Sequence, residues 1–211
     1  MNKVQKFIVL SVFIAAAGTV GWYLASETPL PIELPASFSN TILRTPKPIE
    51  PFQLTTQYQT PFSQKQFEGR WSWIFIGYTH CPDICPTTLT TLKSVAMKLA
   101  REKESELNQY IFVTVDPKRD TAQHLKQYLG FFGEEFIGLT GAPEEIDSLV
   151  QQLDIIYAID GDTMGDDYIV NHSATIALID PEGRYYAKLN PPFTTEKLVE
   201  AFERISHFYG S

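Results

Sequence analysis

The two cysteines of the chain, Cys81 and Cys85, lie in one short loop, and their placement constrains the fold more than any other feature. The apolar residues 71–78 before them predict a buried strand, and residues 86–101 after them predict a helix. A strand-to-helix turn places thiols at the positive end of the helix dipole, which favours thiolate over thiol. Thioredoxin-type redox pairs have this placement but only two intervening residues. The third intervening residue here indicates a function other than electron shuttling.

The proline that follows each cysteine restricts the shape of the loop. Pro82 and Pro86 disfavour helical backbone at Cys81 and Cys85, and Pro86 suits the first position of a helix. Residues four apart on a helix have Cβ atoms about 5–6 Å apart, whereas a disulfide requires about 3.5–4.5 Å. A bent loop closes this gap, and a loop that holds the sulfurs slightly apart suits a bridging metal. The spacing therefore leaves a disulfide and a metal site open.

The rest of the chain alternates between predicted strands and helices. We predict strands at residues 110–115, 136–139, 173–179 and 184–189, and helices at residues 121–129, 143–153 and 194–208. This order predicts an α/β, thioredoxin-like fold with an inserted strand–helix unit before the final hairpin. Ligand sites in such sheets gather at the carboxyl ends of the strands. The cysteine loop, residues 116–120 and the segment before residue 173 should therefore converge.

His172 precedes the strand predicted at residues 173–179, where thioredoxin-like folds usually carry a cis-proline that faces the cysteine loop. A histidine at a strand end is more often satisfied by a backbone carbonyl, but a cysteine pair predicted opposite it favours a ligand. Two thiolates and one imidazole favour copper, especially Cu(I), over magnesium or calcium. A structural zinc site would normally need four protein ligands, and the sequence has no second cysteine pair.

Other polar residues near the predicted site are weaker candidates. Asp116 ends a buried strand, where it could orient a ligand or shift the pKa of a thiol, or where it caps backbone groups of a turn. Asp120 fits a helix N-cap. His80 is expected to form a wall of the site, and His124 and His207 are expected to be exposed bystanders.

The acidic residues 160–167 resemble a calcium-binding loop in composition. They place a methionine where an EF-hand requires an oxygen ligand, so the calcium pattern fails. We therefore expect the tip of a solvated hairpin there.

The N-terminal segment predicts where the chain resides. Lys3 and Lys6 precede an uncharged, apolar stretch at residues 7–24, which is at the short end of a membrane-spanning helix. Positive charge before the span predicts an N-terminus inside and the remainder outside. A cleaved signal peptide is the alternative, since Ala25 leaves cleavage open. The length of the stretch and its Trp22-Tyr23 end favour an uncleaved anchor.

The composition divides the chain into three parts. We assign residues 1–26 to a membrane anchor, residues 27–51 to a proline-rich linker and residues 52–211 to one domain. The formal net charge of −8 becomes about −10 when Lys3 and Lys6 are excluded. Nucleic acid and anionic lipid surfaces are therefore poor partners, whereas a metal cation or a protein with a basic rim is suitable.

Several blocks of the sequence resemble the Sco family, also called SenC, copper proteins that assist assembly of cytochrome c oxidase. The blocks are Phe67-x-Gly69-x-Trp71, the run from Gly77 to Pro86, Val115-Asp116-Pro117-x-Arg119-Asp120-Thr121, His172-Ser173 and Asp180-Pro181-x-Gly183. The resemblance implies that Cys81, Cys85 and His172 hold copper. It also implies that the acceptor is the binuclear copper site of oxidase subunit II, with an unidentified copper donor. Asn171 stands where the family often has aspartate, which alters charge near the site rather than ligation.

The absence of an arginine-rich transit segment favours a bacterial inner membrane, with a single span and the soluble domain on the periplasmic side. A metallochaperone is the function we favour. The main alternative is a thiol–disulfide oxidoreductase that keeps the cysteines of subunit II reduced, and His172 discriminates because a reductase does not need it. A peroxidase is disfavoured because a peroxidatic cysteine normally stands alone near an arginine and a threonine. A purely structural interaction module ranks last.

Overall fold

The described part of the chain is built around a mixed eight-stranded sheet. The structure is a computed structural model that describes residues 41–101, 108–161, 165 and 168–209. In chain order the elements are β1 (Ile42–Pro48), β2 (Leu54–Thr56), β3 (Pro61–Phe62), a 3-10 turn (Gln64–Phe67), β4 (Trp71–Gly77), α1 (Ile84–Arg101), β5 (Asn108–Thr114), α2 (Ala122–Gly130), β6 (Phe136–Thr140), α3 (Pro143–Gln152), β7 (Tyr157–Asp160), β8 (Ile169–His172), β9 (Ile176–Ile179), β10 (Arg184–Leu189) and α4 (Thr195–Tyr209). Within these ranges, none of the helices has both the length and the apolarity that crossing a membrane requires. The predicted anchor at residues 1–26 and residues 27–40 of the predicted linker lie outside the described residues.

The strand order of the sheet is β1-β10-β9-β4-β5-β6-β2-β3. β4, β5 and β6 run parallel, with α1 and α2 between them along the chain as parallel pairing demands. β9 pairs antiparallel with β4, and β10 pairs antiparallel with β9. The predicted thioredoxin-like order, with β6 and α3 as its inserted unit, is confirmed. The predicted strand at residues 173–179 is shorter, because β9 begins at Ile176.

The centre of the core is β4, whose seven residues are all buried. Trp73 of β4 packs against Phe202 of α4, with ring centroids 5.1 Å apart, and Phe75 packs against Phe112 of β5 at 6.1 Å. A parallel strand that is covered on both faces consists of a continuous run of apolar residues, and this run is why β4 was predicted well from the sequence. The carboxyl end of β4, from which the cysteine loop departs, is thus fixed by packing on both sides.

The first strand corrects the predicted domain boundary. Residues 42–48, assigned to the linker, form β1 and pair antiparallel with β10, with Lys47 opposite Tyr185. The prolines of this segment favoured a spacer, but an edge strand tolerates proline because one side of it needs no hydrogen-bonding partner. The folded domain therefore includes residues from Ile42 onward rather than from residue 52.

A two-stranded hairpin, β7 paired with β8, lies outside the main sheet. Tyr157 stands opposite His172 in its register, so the histidine is at the open end of the hairpin. The acidic residues 160–167 join the two strands, as expected of a hairpin tip, although residues 162–164 and 166–167 lie outside the description. The sequence predicted the tip of this hairpin but not the bounds of β7 and β8, since their burial is irregular and their apolar residues do not alternate strictly.

Candidate metal centre

Three segments meet at the carboxyl end of the parallel strands, as the sequence predicts. Cys81 and Cys85 come from the loop after β4 and the first turn of α1, and His172 comes from the end of β8. One ligand atom from each of the three residues lies within 4.8 Å of the others. The structure therefore brings the two sulfurs of one short loop together with an imidazole nitrogen that lies 87 residues after Cys85 in the sequence.

Cys81 lies at the N-terminal end of α1, where backbone amides point towards its sulfur. The amide of Cys85 donates a hydrogen bond to Cys81 Sγ at 3.4 Å. A hydrogen bond with the Cys85 thiol is the main cause that lowers the pKa of Cys81 to about 4, against the opposing effect of burial. The lowered pKa favours the thiolate form of Cys81, the form that binds soft metals.

The start of α1 differs slightly from the prediction. The helix begins at Ile84 rather than at Pro86, so Cys85 lies within the first turn instead of before it. Proline is tolerated there because the first amides of a helix have no intrahelical partner to lose. The helix thus holds Cys85 on a rigid element while Cys81 remains in the loop.

Cys85 is fully buried, and its sulfur lies 3.3 Å from Nε2 of His172. The hydrogen bond with Cys81 and the burial of the thiol raise the pKa of Cys85. The opposite pKa shifts favour one thiolate and one thiol in the pair, and neither cysteine forms a disulfide. A metal that binds both sulfurs must displace the Cys85 proton, so binding releases a proton.

Gly77, the last residue of β4, makes room for the Cys85 sulfur. A Cβ atom at this position would lie 2.8 Å from Cys85 Sγ and 2.9 Å from the ring of Phe112, closer than real Cβ atoms approach. A glycine at the end of a buried strand is a sequence signal of such close approach. Gly77 belongs to one of the family blocks, but this role depends on contacts with Cys85 and Phe112 that only the fold creates.

The ring of His172 is oriented by its backbone and by two aromatic neighbours. Nδ1 donates to the carbonyl oxygen of Ser173 at 3.2 Å, which leaves Nε2 with its lone pair directed at the sulfurs. Phe75 and Tyr78 contact the ring edge-on, with centroids 6.0 Å and 6.2 Å away. The histidine thus has the backbone carbonyl partner that the alternative interpretation expected. That hydrogen bond places the proton on Nδ1, which is the tautomer that a metal ligand at Nε2 needs.

Asp116 acts on the hairpin rather than directly on the thiols. Its carboxylate is buried, accepts a hydrogen bond from the Tyr168 hydroxyl at 2.6 Å and pairs with Arg119. The guanidinium of Arg119 also lies over the Tyr168 ring, 3.6 Å from its centroid. Burial, assisted by Asp116, raises the pKa of Tyr168 to about 12. Because Tyr168 immediately precedes β8, Asp116 holds the strand that carries His172, and its predicted influence on a ligand is indirect.

Asp120 holds the first residues of the cysteine loop. Its buried carboxylate accepts hydrogen bonds from the Thr79 amide at 2.9 Å, the Thr79 hydroxyl at 2.5 Å and the Thr114 hydroxyl at 2.6 Å. The predicted N-cap role of Asp120 is wrong, because Thr121 caps α2 by accepting a hydrogen bond from the His124 amide. Both residue types are good caps, and the buried donors of the loop determine which of the two turns inward.

The remaining histidines differ in their surroundings. The half-exposed ring of His80 stacks on the ring of His124, with centroids 5.6 Å apart and planes inclined by 16°. His124 is half-buried, so the prediction of an exposed bystander is wrong for it, whereas His207 is exposed as expected. His80 adjoins Cys81 in the sequence, and its ring faces His124.

The donor set fits a soft, three-coordinate ion. With a metal–sulfur distance of about 2.3 Å and a metal–nitrogen distance of about 2.0 Å, trigonal donors lie roughly 3.7–4.0 Å apart. The sulfur of Cys85 and Nε2 of His172 are 3.3 Å apart, and all three donors lie within 4.8 Å, so small side-chain movements suffice. Two thiolates and an imidazole match the preference of Cu(I).

Comparisons with known proteins agree with this geometry. The family model described as SCO1/SenC matches residues 42–207. The SCO2-like protein of Rickettsia prowazekii is 30% identical over 204 residues, which are 96% of this chain and 97% of that protein. The mitochondrial SCO2 homolog of Mus musculus is 34% identical over 153 residues, which are 72% of this chain and 60% of that protein.

A solved structure extends the similarity to the fold. The copper-bound ScoI of Bradyrhizobium japonicum has a TM-score of 0.66 with this chain at 35% identity, and the match covers 75% of this chain and 99% of that one. The family model spans the whole sheet from β1 and ends within α4. The chain therefore belongs to the SCO1/SenC family.

Proposed function

We propose that this chain binds one copper ion through Cys81, Cys85 and His172 and delivers it to the binuclear copper site of cytochrome c oxidase subunit II. The observation that carries the proposal is the convergence of these three donors within 4.8 Å at the carboxyl end of the sheet. Members of the Sco family are cytochrome c oxidase assembly proteins, and the Bradyrhizobium relative holds copper in its structure. Copper is the cargo in this function rather than a resident cofactor, and its donor is unidentified.

The different environments of the two sulfurs support loading and release in a defined order. Cys81 has the lowered pKa and is 9% exposed, so its sulfur is the one that an incoming ion or a partner's ligand reaches first. Cys85 is fully buried, so its sulfur is the less accessible of the two. A three-coordinate site also leaves space for a fourth ligand, so a partner's thiolate can bind before Cys81 dissociates.

The surface beside His172 supports a protein as the acceptor. Ile156 and Ile169 of the hairpin region have 77% and 60% of their surface exposed. The carbonyl of Ile156 accepts a hydrogen bond from the amide of Ser173, so Ile156 lies next to the histidine, whereas Ile169 is at the other end of β8, opposite Asp160. Exposed apolar residues beside a transfer site are typical of a docking surface that excludes water when a partner binds.

The delivery is tested by mixing the Cu(I)-loaded full-length chain, in detergent and without oxygen, with the copper-free soluble domain of subunit II. We expect copper to leave the chain and appear in the subunit II domain, measured by copper content after separation of the two proteins. His207→Ala, which alters an exposed histidine distant in sequence from the site, should load and deliver normally. Copper that stays on the chain, while the subunit II domain still accepts copper from a small-molecule complex, would contradict delivery.

A thiol–disulfide oxidoreductase is the second candidate function, favoured by the lowered pKa of Cys81. A thiolate beside a second free thiol is able to attack a disulfide and then resolve the mixed disulfide. The same cysteines would then keep those of subunit II reduced. His172 separates the two functions, since a reductase does not require an imidazole ligand.

We further propose that residues 1–26 anchor the chain in a bacterial inner membrane and that the domain lies on the periplasmic side. The apolar stretch at residues 7–24 and the preceding lysines support this placement. Residues 27–40 remain as a spacer now that β1 belongs to the domain.

If residues 1–26 anchor the chain, we expect the full chain to stay with the membrane fraction after high-salt and alkaline washing, because an inserted apolar span does not dissociate. A variant that begins at residue 27 behind a cleavable export signal is the matched control and should be soluble. Recovery of the native protein in the wash, with its N-terminus near residue 26, would show that the segment is removed instead.

A further inference from the structure

A second group of metal-ligating side chains lies beside the cysteine loop: His80, Asp120 and His124. One ligand atom from each lies within 4.8 Å of the others. We propose that these three residues form a second metal site, separate from the cysteine pair, that binds a divalent cation of the Cu²⁺ or Zn²⁺ class. The trio shares no residue with the Cys81, Cys85 and His172 site.

The carboxylate of Asp120 is fixed before any cation arrives. Its Oδ2 accepts hydrogen bonds from the Thr79 amide and the Thr114 hydroxyl, and its Oδ1 accepts one from the Thr79 hydroxyl. A carboxylate has about four lone-pair sites, so Oδ1 retains one for a further contact. Nδ1 of His80 lies 3.8 Å from that oxygen, near the roughly 3.3 Å that separates two donors around a tetrahedral ion.

The two imidazoles come from different elements and are held side by side. His80 belongs to the cysteine loop, whereas His124 lies in the first turn of α2 with its amide bonded to Thr121. Their rings are nearly parallel, with centroids 5.6 Å apart and planes at 16°. One nitrogen of each ring lies within 4.8 Å of the other ring's nitrogen and of a carboxylate oxygen of Asp120. His80 is half-exposed, so a cation in solution has access.

The chemistry of the donors defines the cation. Two imidazoles and one carboxylate are borderline and hard donors that suit Cu²⁺ and Zn²⁺, whereas Cu(I) prefers the thiolates of the neighbouring site. Three protein ligands leave a position for water, which is typical of exchangeable rather than structural sites. The negative charge of Asp120 and the formal net charge of −8 favour a cation there.

The first test uses a full-length variant that lacks the cysteine site, Cys81→Ser, Cys85→Ser and His172→Ala together, titrated with Zn²⁺ and separately with Cu²⁺. We expect one bound ion per chain, and for Cu²⁺ a spectrum with nitrogen ligands and no sulfur charge-transfer band. Adding His124→Ala should weaken binding at least tenfold, since loss of even an outer-shell partner costs about 10–100-fold. Adding His207→Ala is the matched control and should change nothing. Binding that His124→Ala leaves intact, or an absence of binding, would overturn the proposal.

A second measurement avoids the triple variant. The wild-type chain is first filled with one equivalent of Cu(I) without oxygen and then titrated with Zn²⁺. We expect one zinc to bind while the copper stays in place, and His80→Ala or His124→Ala to abolish the zinc but not the copper. A chain that takes copper but no zinc would refute the second site while leaving the proposed function standing. A wild-type chain that fails to hold copper but still binds zinc would refute the proposed function and leave the second site standing.

Discussion

Replacing Cys85 with serine should abolish tight copper binding and, with it, the ability of the chain to support oxidase assembly. A serine hydroxyl stays protonated at neutral pH, and oxygen is a poor ligand for a soft ion. Cys85 is the fully buried donor and lies 3.3 Å from His172, and the sequence contains no third cysteine to take its place. We expect the affinity for Cu(I) to fall more than about 100-fold, since even outer-shell losses cost about 10–100-fold.

The measurement is copper stoichiometry together with competition against a Cu(I) chelator, and Cys81→Ser should give the same result. Thr90→Ser, an exposed hydroxyl change on α1, is the matched control and should bind copper normally. The thermal midpoint of each variant shows whether the domain is still folded. Full stoichiometry and affinity in a folded serine variant would mean that the assigned site is wrong.

Replacing His172 with alanine should separate copper binding from thiol chemistry. Both thiols remain, so disulfide formation and reduction at Cys81 and Cys85 should continue, with at most a modest change in potential. The site loses its only nitrogen donor, and two thiolates can still hold Cu(I) but hold Cu(II) poorly. We therefore expect a folded domain with a weak or absent sulfur-to-copper charge-transfer band and impaired oxidase assembly.

The absorption spectrum of the Cu(II)-loaded variant and an oxidase assembly assay check this prediction, with His207→Ala as the control. A variant that kept the wild-type Cu(II) spectrum would remove His172 from the site. A variant that lost Cu(II) yet fully supported assembly would favour the oxidoreductase instead. The two functions are thus distinguished by one residue, His172.

The sequence predicted the central part of this architecture because its signals are local. The continuous apolar run of β4 and the cysteines that follow it define a strand-to-helix turn without reference to the rest of the fold. The role of His172 was harder to predict, since only the topology of the fold places the residues before β9 opposite that turn. Its position was predicted from the order of strands and helices, and the 3.3 Å approach to Cys85 agrees with it.

Features that depend on tertiary contacts were not predictable. The prolines of β1 indicated a linker, and only pairing with β10 makes that segment a strand. Asp120 and Thr121 are both suitable caps in sequence, but the hydroxyls of Thr79 and Thr114 donate to Asp120 and draw it into the loop instead. His124 has polar neighbours in sequence, and its contact with His80 arises from the packing of α2 beside the cysteine loop.

X-ray absorption at the copper edge tests the central claim most directly. The reduced full-length chain, loaded with one equivalent of Cu(I), should show two sulfurs at about 2.3 Å and one nitrogen at about 2.0 Å. His172→Ala should remove the nitrogen and leave both sulfurs, whereas Cys85→Ser should leave too little bound copper to measure. A copper shell with fewer than two sulfurs, or a nitrogen signal that survives in His172→Ala, would contradict the assignment of this site.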